Sequence, residues 1–291
     1  LQSIREYSVM TDEMGRYYDS PKAFYSWFDY KIPTEVAAVE AIQMLHPDDA
    51  QTVEEMQRWL LMSKRTQAWD TPINSVNAVY VFMKGNNGLL DDREPTQIMA
   101  DGRVLEVEAR NAGLGSEKHR LAGDDIPQQL TVSKTSEGTS WGAIYAQFTQ
   151  KTTDVADAAT GLTVTREIFM ADDKKNAVTD GQQLHVGDRV KVRITIQATQ
   201  DFDFVQVSDK RAACLEPTQQ LSGYHYGYYC SPKDYVTNYY FDRMAKGKHV
   251  VETEYFIDRE GTYTTGTCTV QCAYAPEYYG RTHAQTLQVV K

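Results

Sequence analysis

Two periodicities divide the chain. Up to about residue 85, apolar residues recur at helical spacing. In Thr34–Leu45, Val36, Val39 and Ile42 share one broad apolar side with Ala37, Ala41 and Met44. Pro33 sits where a helix start tolerates it. Asp48 followed by Gln51 resembles a capping box opening a second helix, on which Val53, Met56 and Leu60 line up and Lys64 and Arg65 suit the C-terminal end. Thr71-Pro72 predicts a third start: a capping hydroxyl, then Pro at the first helical position. Behind it, Ile73, Val76, Tyr80 and Met83 form the expected apolar stripe, and Gly85–Gly88 ends the run. Short connections predict antiparallel helical hairpins.

After Gly88 the period becomes two. Leu105, Val107 and Ala109 alternate with Val104, Glu106 and Glu108. The clearest strand is Arg189–Gln197, where Val190, Val192, Ile194 and Ile196 face one way and Arg, Lys and Thr the other. Phe202–Val207 follows after a polar turn. Val251, Thr253, Tyr255 and Ile257 form another face, Cys268, Val270, Cys272 and Tyr274 another, and Leu287 and Val289 the last. Lys246-Gly247-Lys248, Arg259-Glu260-Gly261 and Ala275-Pro276 separate them as turns. Many short alternating strands predict antiparallel β-sandwich structure with one buried face per strand. Polar, Ala/Asp-rich Thr152–Gly161 reads as a linker between two β units.

Composition narrows the function without naming it. The 291 residues carry 30 Lys and Arg against 40 Asp and Glu, a formal charge of -10, which speaks against a nucleic-acid grip. Hydrophobic residues at 41% suit a globular protein, and no apolar run reaches a membrane span's length of roughly 18 residues. The chain opens Leu1-Gln2-Ser3, without initiator Met or apolar leader, and so reads as a processed product or an excised fragment.

Candidate chemistry is sparse. Gly138-Thr139-Ser140-Trp141-Gly142 matches G-x-S-x-G, but the residues behind it alternate like a strand, where a nucleophile elbow needs a helix. The six His are scattered and Asp91-Asp92 and Asp172-Asp173 lack calcium-loop spacing, so the pattern calls for no metal, cofactor or catalytic residue. Among the four Cys, Cys268 and Cys272 on one strand lie about 13 Å apart and cannot pair. Cys214 and Cys230 flank a loop-like stretch and could close a small ring; four reduced, partly buried thiols is the equal alternative.

Tyrosine stands out, at 19 copies against 9 Phe. One aromatic cluster, Tyr17, Tyr18, Phe24, Tyr25, Trp27, Phe28 and Tyr30, lies near the start; a second runs from Tyr224 to Tyr240. Packing in cores and at sheet edges is the simpler use of such residues. A contact surface is the other, and Tyr224, Tyr226 and Tyr228, alternating with His225 and Gly227, could show three rings on one strand face.

Several long stretches resemble the C-terminal end of bacterial alpha-2-macroglobulin-like proteins: residues 30–45 (YKIPTEVAAVEAIQML), 52–83, 139–148 (TSWGAIYAQF), 186–217 and 221–278. The resemblance spans nearly the whole chain, though no piece is a catalytic signature. It implies a partial α/α toroid of thioester type over residues 1–86, strands of a β (CUB-like) domain over 87–153, and a C-terminal macroglobulin-like β-sandwich over 154–291. It further implies a non-enzymatic part of a protease-trapping inhibitor, exported to the periplasm or cell envelope, with proteases met through the full-length parent and other domains of the same chain as partners. The thioester motif C-x-E-Q is absent from these residues. Two other readings fit the layout: a polysaccharide lyase, which also joins an α/α toroid to β-sandwiches, and a surface adhesin or carbohydrate-binding module, suggested by the aromatics.

Overall fold

The structure, a computed structural model, describes residues 2–12, 14–19, 30–69, 71–84, 96–106, 118–135, 142, 144–173, 176–179 and 181–291. The chain divides into two compact units, one of Leu1–Leu61 with Trp69–Gln147, the other of Met62–Ala68 with Phe148–Lys291.

The first unit begins with a short helix α1 (Gln2–Glu6) and a hairpin of β1 (Val9–Thr11) and β2 (Gly15–Tyr17). Three longer helices follow, α2 (Lys31–Leu45), α3 (Ala50–Thr66), whose residues from Met62 on are counted with the second unit, and α4 (Pro72–Met83). Their starts follow local chemistry in part. Thr71 caps α4, its hydroxyl accepting from the Asn74 N–H at 3.3 Å, with Pro72 next in line. The capping box expected at Asp48 does not form. Helix α3 starts one step later, where the Thr52 hydroxyl donates to Asp49 at 3.0 Å and Gln51 turns to Glu55 instead. Helices α2 and α4 pack on each other with their C-terminal ends together: the Gln43 amide donates to the Lys84 carbonyl at 2.9 Å, and Lys84 meets Glu40 at 3.3 Å. The two therefore point the same way, and α3 is the return between them, donating from Gln57 to the Val81 carbonyl at 3.1 Å. A three-stranded sheet of β3 (Gln97–Ala100), β4 (Arg103–Leu105) and β5 (Leu130–Ser133) completes the described part, with β3 in the middle.

Periodicity fares unequally among these helices. On α2, Val36, Val39 and Ile42 are buried as expected, while Ala37 and Met44 are exposed. On α3, Met56 and Leu60 are fully buried. On α4 the expected stripe is the wrong one. Ile73, Val76, Tyr80 and Met83 face solvent, and Asn74, Ala78 and Val81 are buried. The helix is apolar on both sides, so spacing alone does not say which side meets α2.

The second unit is almost wholly antiparallel β structure. Its strands are β6 (Ala158–Thr160), β7 (Leu162–Met170), β8 (Gln183–His185), β9 (Arg189–Ala198), β10 (Phe202–Lys210), β11 (Leu215–Pro217), β12 (Gly223–His225), β13 (Tyr228–Pro232), β14 (Val236–Met244), β15 (Gly247–Ile257), β16 (Gly261–Thr264), β17 (Cys268–Cys272), β18 (Tyr279–Arg281) and β19 (Thr286–Val290). They form a seven-stranded sheet in the order β12-β13-β14-β10-β17-β18-β6, a four-stranded sheet β11-β15-β9-β7, and a three-stranded sheet β16-β19-β8. Only the β19–β8 pairing among these is parallel.

The pleat does what the alternation predicts. On β9, Val190, Val192, Ile194 and Ile196 are all at most 2% exposed. Phe202, Val205 and Val207 of β10 and Cys268, Val270 and Cys272 of β17 bring the buried side of the larger sheet. Val251, Tyr255 and Ile257 add β15, and Leu287 and Val289 add β19. Tyr274 lies beyond the end of β17 and is exposed rather than in line with the cysteines. The outer side of the smaller sheet is a charge ladder, Arg193 and Lys191 meeting Glu252 and Arg189 meeting Glu254, the solvated complement of the buried row.

One inward position breaks the apolar rule. Arg166 occupies the phase of Leu162, Val164 and Ile168 on β7, and its side chain is 2% exposed, as is that of Asp209 on β10. The pair closes at 3.0 Å. The same guanidinium donates to the carbonyls of Gly266 at 2.8 Å and His283 at 3.2 Å and to the Thr265 hydroxyl at 2.7 Å. Burial raises the pKa of Asp209, and the Arg166 charge opposes that rise. The cluster ties β7 of one sheet to β10 of the other and to the segments before β17 and after β18.

Candidate functional site

The aromatic run near the end folds into a hairpin at the edge of the seven-stranded sheet. Strand β12 pairs with β13 in the register Tyr224 with Tyr229 and His225 with Tyr228, leaving Tyr226-Gly227 as a two-residue turn. Gly227 takes φ +89, a backbone state that glycine reaches without penalty. The single-strand reading of Tyr224, Tyr226 and Tyr228 is therefore corrected: the chain reverses at Tyr226-Gly227, and the three rings separate. The signal was present in the sequence, since a glycine inside an alternating aromatic run marks a turn or bulge.

Directly paired residues share a face, so the hairpin has two unlike sides. Outward stand Tyr224, 82% exposed, edge-on to Tyr229 at 4.8 Å, and Tyr229 against Tyr240 at 6.5 Å between ring centres. Inward, Tyr228 stacks on His225 at 5.1 Å and leans on Phe241 at 5.4 Å and Tyr239 at 5.8 Å. Burial pushes the Tyr228 phenol up in pKa. Tyr239 is buried, its hydroxyl 2.6 Å from that of Thr253. Tyr226, at the tip, is fully exposed. Tyr224 and Tyr226 are thus free to touch a partner, while Tyr228 anchors the hairpin to the sandwich.

At the hairpin's base an open cleft of about 370 Å³ is lined by Arg211, Glu216, Pro217, Gln220, Pro232, Lys233 and Asp234. Its charges are mixed. Arg211 donates Nε–H to the Leu215 carbonyl at 2.9 Å and Nη2–H to the Asp234 carbonyl at 2.8 Å, and its buried Nη1 has no hydrogen-bond partner among the described residues.

Other candidates do not gather into chemistry. Cys214, Cys230, Cys268 and Cys272 are all buried free thiols, so the ring considered between Cys214 and Cys230 is open. Burial raises the pKa of each, which leaves them poor nucleophiles. Ser140 falls outside the described residues. Residues 144–150 are neither helix nor strand, so the strand expected behind Ser140 is not there and neither is an elbow's helix. Phe24, Tyr25, Trp27, Phe28, Asp91 and Asp92 also lie outside the described residues. Among the described residues no group of three His, Cys, Asp or Glu could hold a metal ion, and no helix is long and apolar enough to cross a membrane.

One buried group escaped the sequence reading. Glu35 on α2 is 1% exposed, and among the described residues neither carboxylate oxygen completes a well-formed hydrogen bond. Burial pushes its pKa up to about 8, with the Tyr18 backbone and the Arg16 charge drawing it back only in part. Its signal is an acidic residue at i-4 and i-1 from the buried Val39 and Val36.

Fold and hairpin define an all-β module with exposed aromatic rings at one sheet edge. Residues 161–277 match the family model described as Bacterial Alpha-2-macroglobulin MG10 domain. Over those residues the sandwich is similar to a bacterial macroglobulin domain. No curated protein matches the chain. Among solved structures, it is similar to trypsin activated alpha-2-macroglobulin from Escherichia coli, at 16% identity and TM-score 0.47, over 91% of this chain and 19% of that one. Native alpha-2-macroglobulin from Escherichia coli, spanning domain MG7 to the C-terminus, gives 17% identity and TM-score 0.41, over 90% of this chain and 42% of that one. Salmonella alpha-2-macroglobulin reacted with methylamine gives 16% and 0.41, over 93% and 18%. The chain spans about a fifth of the length of the first of these.

Proposed function

We propose that the chain is the non-catalytic C-terminal part of a protease-trapping inhibitor. The match of its sandwich to a bacterial alpha-2-macroglobulin MG10 domain carries the reading. Residues 1–86 are the end of an α/α toroid, 87–153 belong to a β host domain, and 154–291 are the C-terminal macroglobulin sandwich. The parent is exported to the periplasm or cell envelope and meets proteases there. A trap rearranges when its modules make different contacts before and after cleavage. The hairpin suits such contacts, because Tyr224 and Tyr226 are exposed rings on a backbone held rigid through Tyr228 and Tyr239. Their role is to dock the sandwich on other modules of the parent.

The test replaces Tyr224 and Tyr226 by Ser in the full-length protein and measures how fast a protease becomes unable to digest a large substrate. Slower or uncoupled trapping is expected. Trapping at the original rate would sink the docking role. Tyr228→Ser is the wrong probe, since it removes an anchor and disturbs the fold.

A further inference from the structure

Strand β15 is paired along the whole of one edge and only part of the other. With β9 it forms an unbroken register from Gly247 to Phe256. On the other side β11 pairs with Tyr255, Phe256 and Ile257, and the Thr218 N–H donates to the Glu254 carbonyl at 3.0 Å. Backbone groups alternate in direction along an antiparallel strand. Glu252, Val250 and Lys248 therefore turn their N–H and C=O groups the same way as Glu254. Among the described residues no strand pairs with them there.

The opposite sheet reaches past this edge. Strand β14 lies over β15, Thr237 meeting Tyr255 at 2.9 Å, Tyr239 meeting Thr253 at 2.6 Å, and Phe241 meeting His249 at 6.3 Å between ring centres. Beyond β14 come β13 and β12, two strand spacings or about 10 Å of roof. At the Pro232 end of the roof β11 occupies the space beneath, its Glu216 and Pro217 lining the cleft with Pro232 and Lys233. At the Tyr228 end the slot is open, and its roof shows Tyr228 stacked on His225 at 5.1 Å and leaning on Phe241 at 5.4 Å.

We propose that this roofed edge, residues 248–252, takes up an extended segment of another polypeptide as an added antiparallel strand. Two rival occupants do not fit. A second copy pairing edge to edge about a two-fold axis would set both seven-stranded sheets on the same side of one continuous sheet, and the two roofs would collide. The chain's own residues 219–222 leave the slot after Thr218 to reach Gly223, which is paired with Cys230, and could fill it only by melting β12. The guest's chemistry follows from what it meets. Its inward side chains, opposite Val251 and His249, lie under the rings and are apolar or aromatic. Outward, Val250, 45% exposed, calls for an apolar residue opposite it. Lys248 is exposed and has no ion pair among the described residues, so it calls for an acidic one.

The test titrates the 291-residue chain into the labelled, capped peptide Ser-Thr-Leu-Val-Phe-Glu-Ser, whose Val falls opposite Val250 and whose Glu falls opposite Lys248. Saturable binding is expected. Methylating the nitrogen of the peptide's Val, which faces β15, should weaken it about tenfold or more, and methylating that of its Leu, which faces away, about threefold or less. Val250→Pro in the protein should abolish binding with melting within about 5 °C, because the Val250 N–H lies on the open side and is not bonded to β9. Lys248→Glu should weaken binding about fivefold. No saturation by about 1 mM, equal losses with the two methylated peptides, or a folded Val250→Pro protein that still binds would each overturn the proposal. Binding to the 291-residue chain that the full-length protein lacks would overturn it too, by making a segment of the same polypeptide the occupant. The methylated pair needs no mutation, so it decides alone if Val250→Pro fails to fold. No readout involves a protease, so this site and trapping are judged separately.

Discussion

The sandwich and the helical unit treat apolar surface differently. In the sandwich, the apolar rows of β9, β10 and β17 are buried within the unit, and the two sheets meet where Tyr255 and Thr253 of β15 bond Thr237 and Tyr239 of β14. In the helical unit, among the described residues, α4 turns one apolar side to α2 and α3 while its more apolar side faces out. Hydrophobic periodicity marks a side that wants burial. It tells which side is buried only where the partner belongs to the same folded unit.

The largest test of that contrast lies in the closed region. Asp209→Ala leaves Arg166 charged, buried and without its carboxylate, and removing one member of such a pair costs about 3–5 kcal/mol. The sandwich should melt about 10 °C lower or worse. A change under about 3 °C would mean that the interior around Arg166 is wet, and that the sandwich is less closed than its packing indicates. Ile194→Ala comes next. Ile194 is fully buried at the centre of the smaller sheet, and its truncation should cost about 2–5 kcal/mol in chemical denaturation.

Legibility follows the same division. The buried face of β9 could be read residue by residue, because one side carries only Val and Ile and the other Arg, Lys and Thr. Arg166 could not, since its binding partners Asp209, Thr265, Gly266 and His283 are distant in sequence and only the fold brings them together. The aromatic hairpin was legible as composition and misread as geometry, because one glycine, Gly227, decides between a strand and a turn. On α4 the spacing was correct and the orientation was not: Asn74 is buried and Ile73 exposed, a choice made by contact with α2 and invisible to propensity.

The helical unit offers a test by pH. Glu35 has a folded pKa of about 8 against an ordinary 4.5. Because the folded state favours the protonated form, its stability is full below about pH 4.5 and declines as pH rises towards 8, where the carboxylate ionises inside. Glu35→Gln removes the ionisation. The variant should be more stable than the parent at pH 8 by about 1–2 kcal/mol and lose the slope between pH 5 and 8. Helical-signal melts at four pH values would check it. A variant that keeps the slope would show that water reaches the carboxylate, and that this unit is open at α2 as well as at α4.

A smaller effect belongs to the hairpin. Gly227→Ala meets nothing within 4 Å of the added carbon, so its cost is that of the left-handed backbone alone, about 1 kcal/mol. Sandwich stability should fall by no more than that. Docking that depends on the tip should weaken further, since Tyr226 is re-aimed while Tyr224 stays in register. Equal losses in stability and in trapping would leave the tip without a role of its own.

The smallest expected effect is the sharpest contrast with Ile194. Ile73 is also an isoleucine in a regular element, yet it is 68% exposed. In the 291-residue chain, Ile73→Ala removes few contacts and places the best helix former at an early turn of α4. Stability should stay within about 0.5 kcal/mol and could rise. The truncation that costs Ile194 both its transfer energy and its packing is then nearly silent at Ile73. If Ile73→Ala is costly, residues within the chain cover that side of α4.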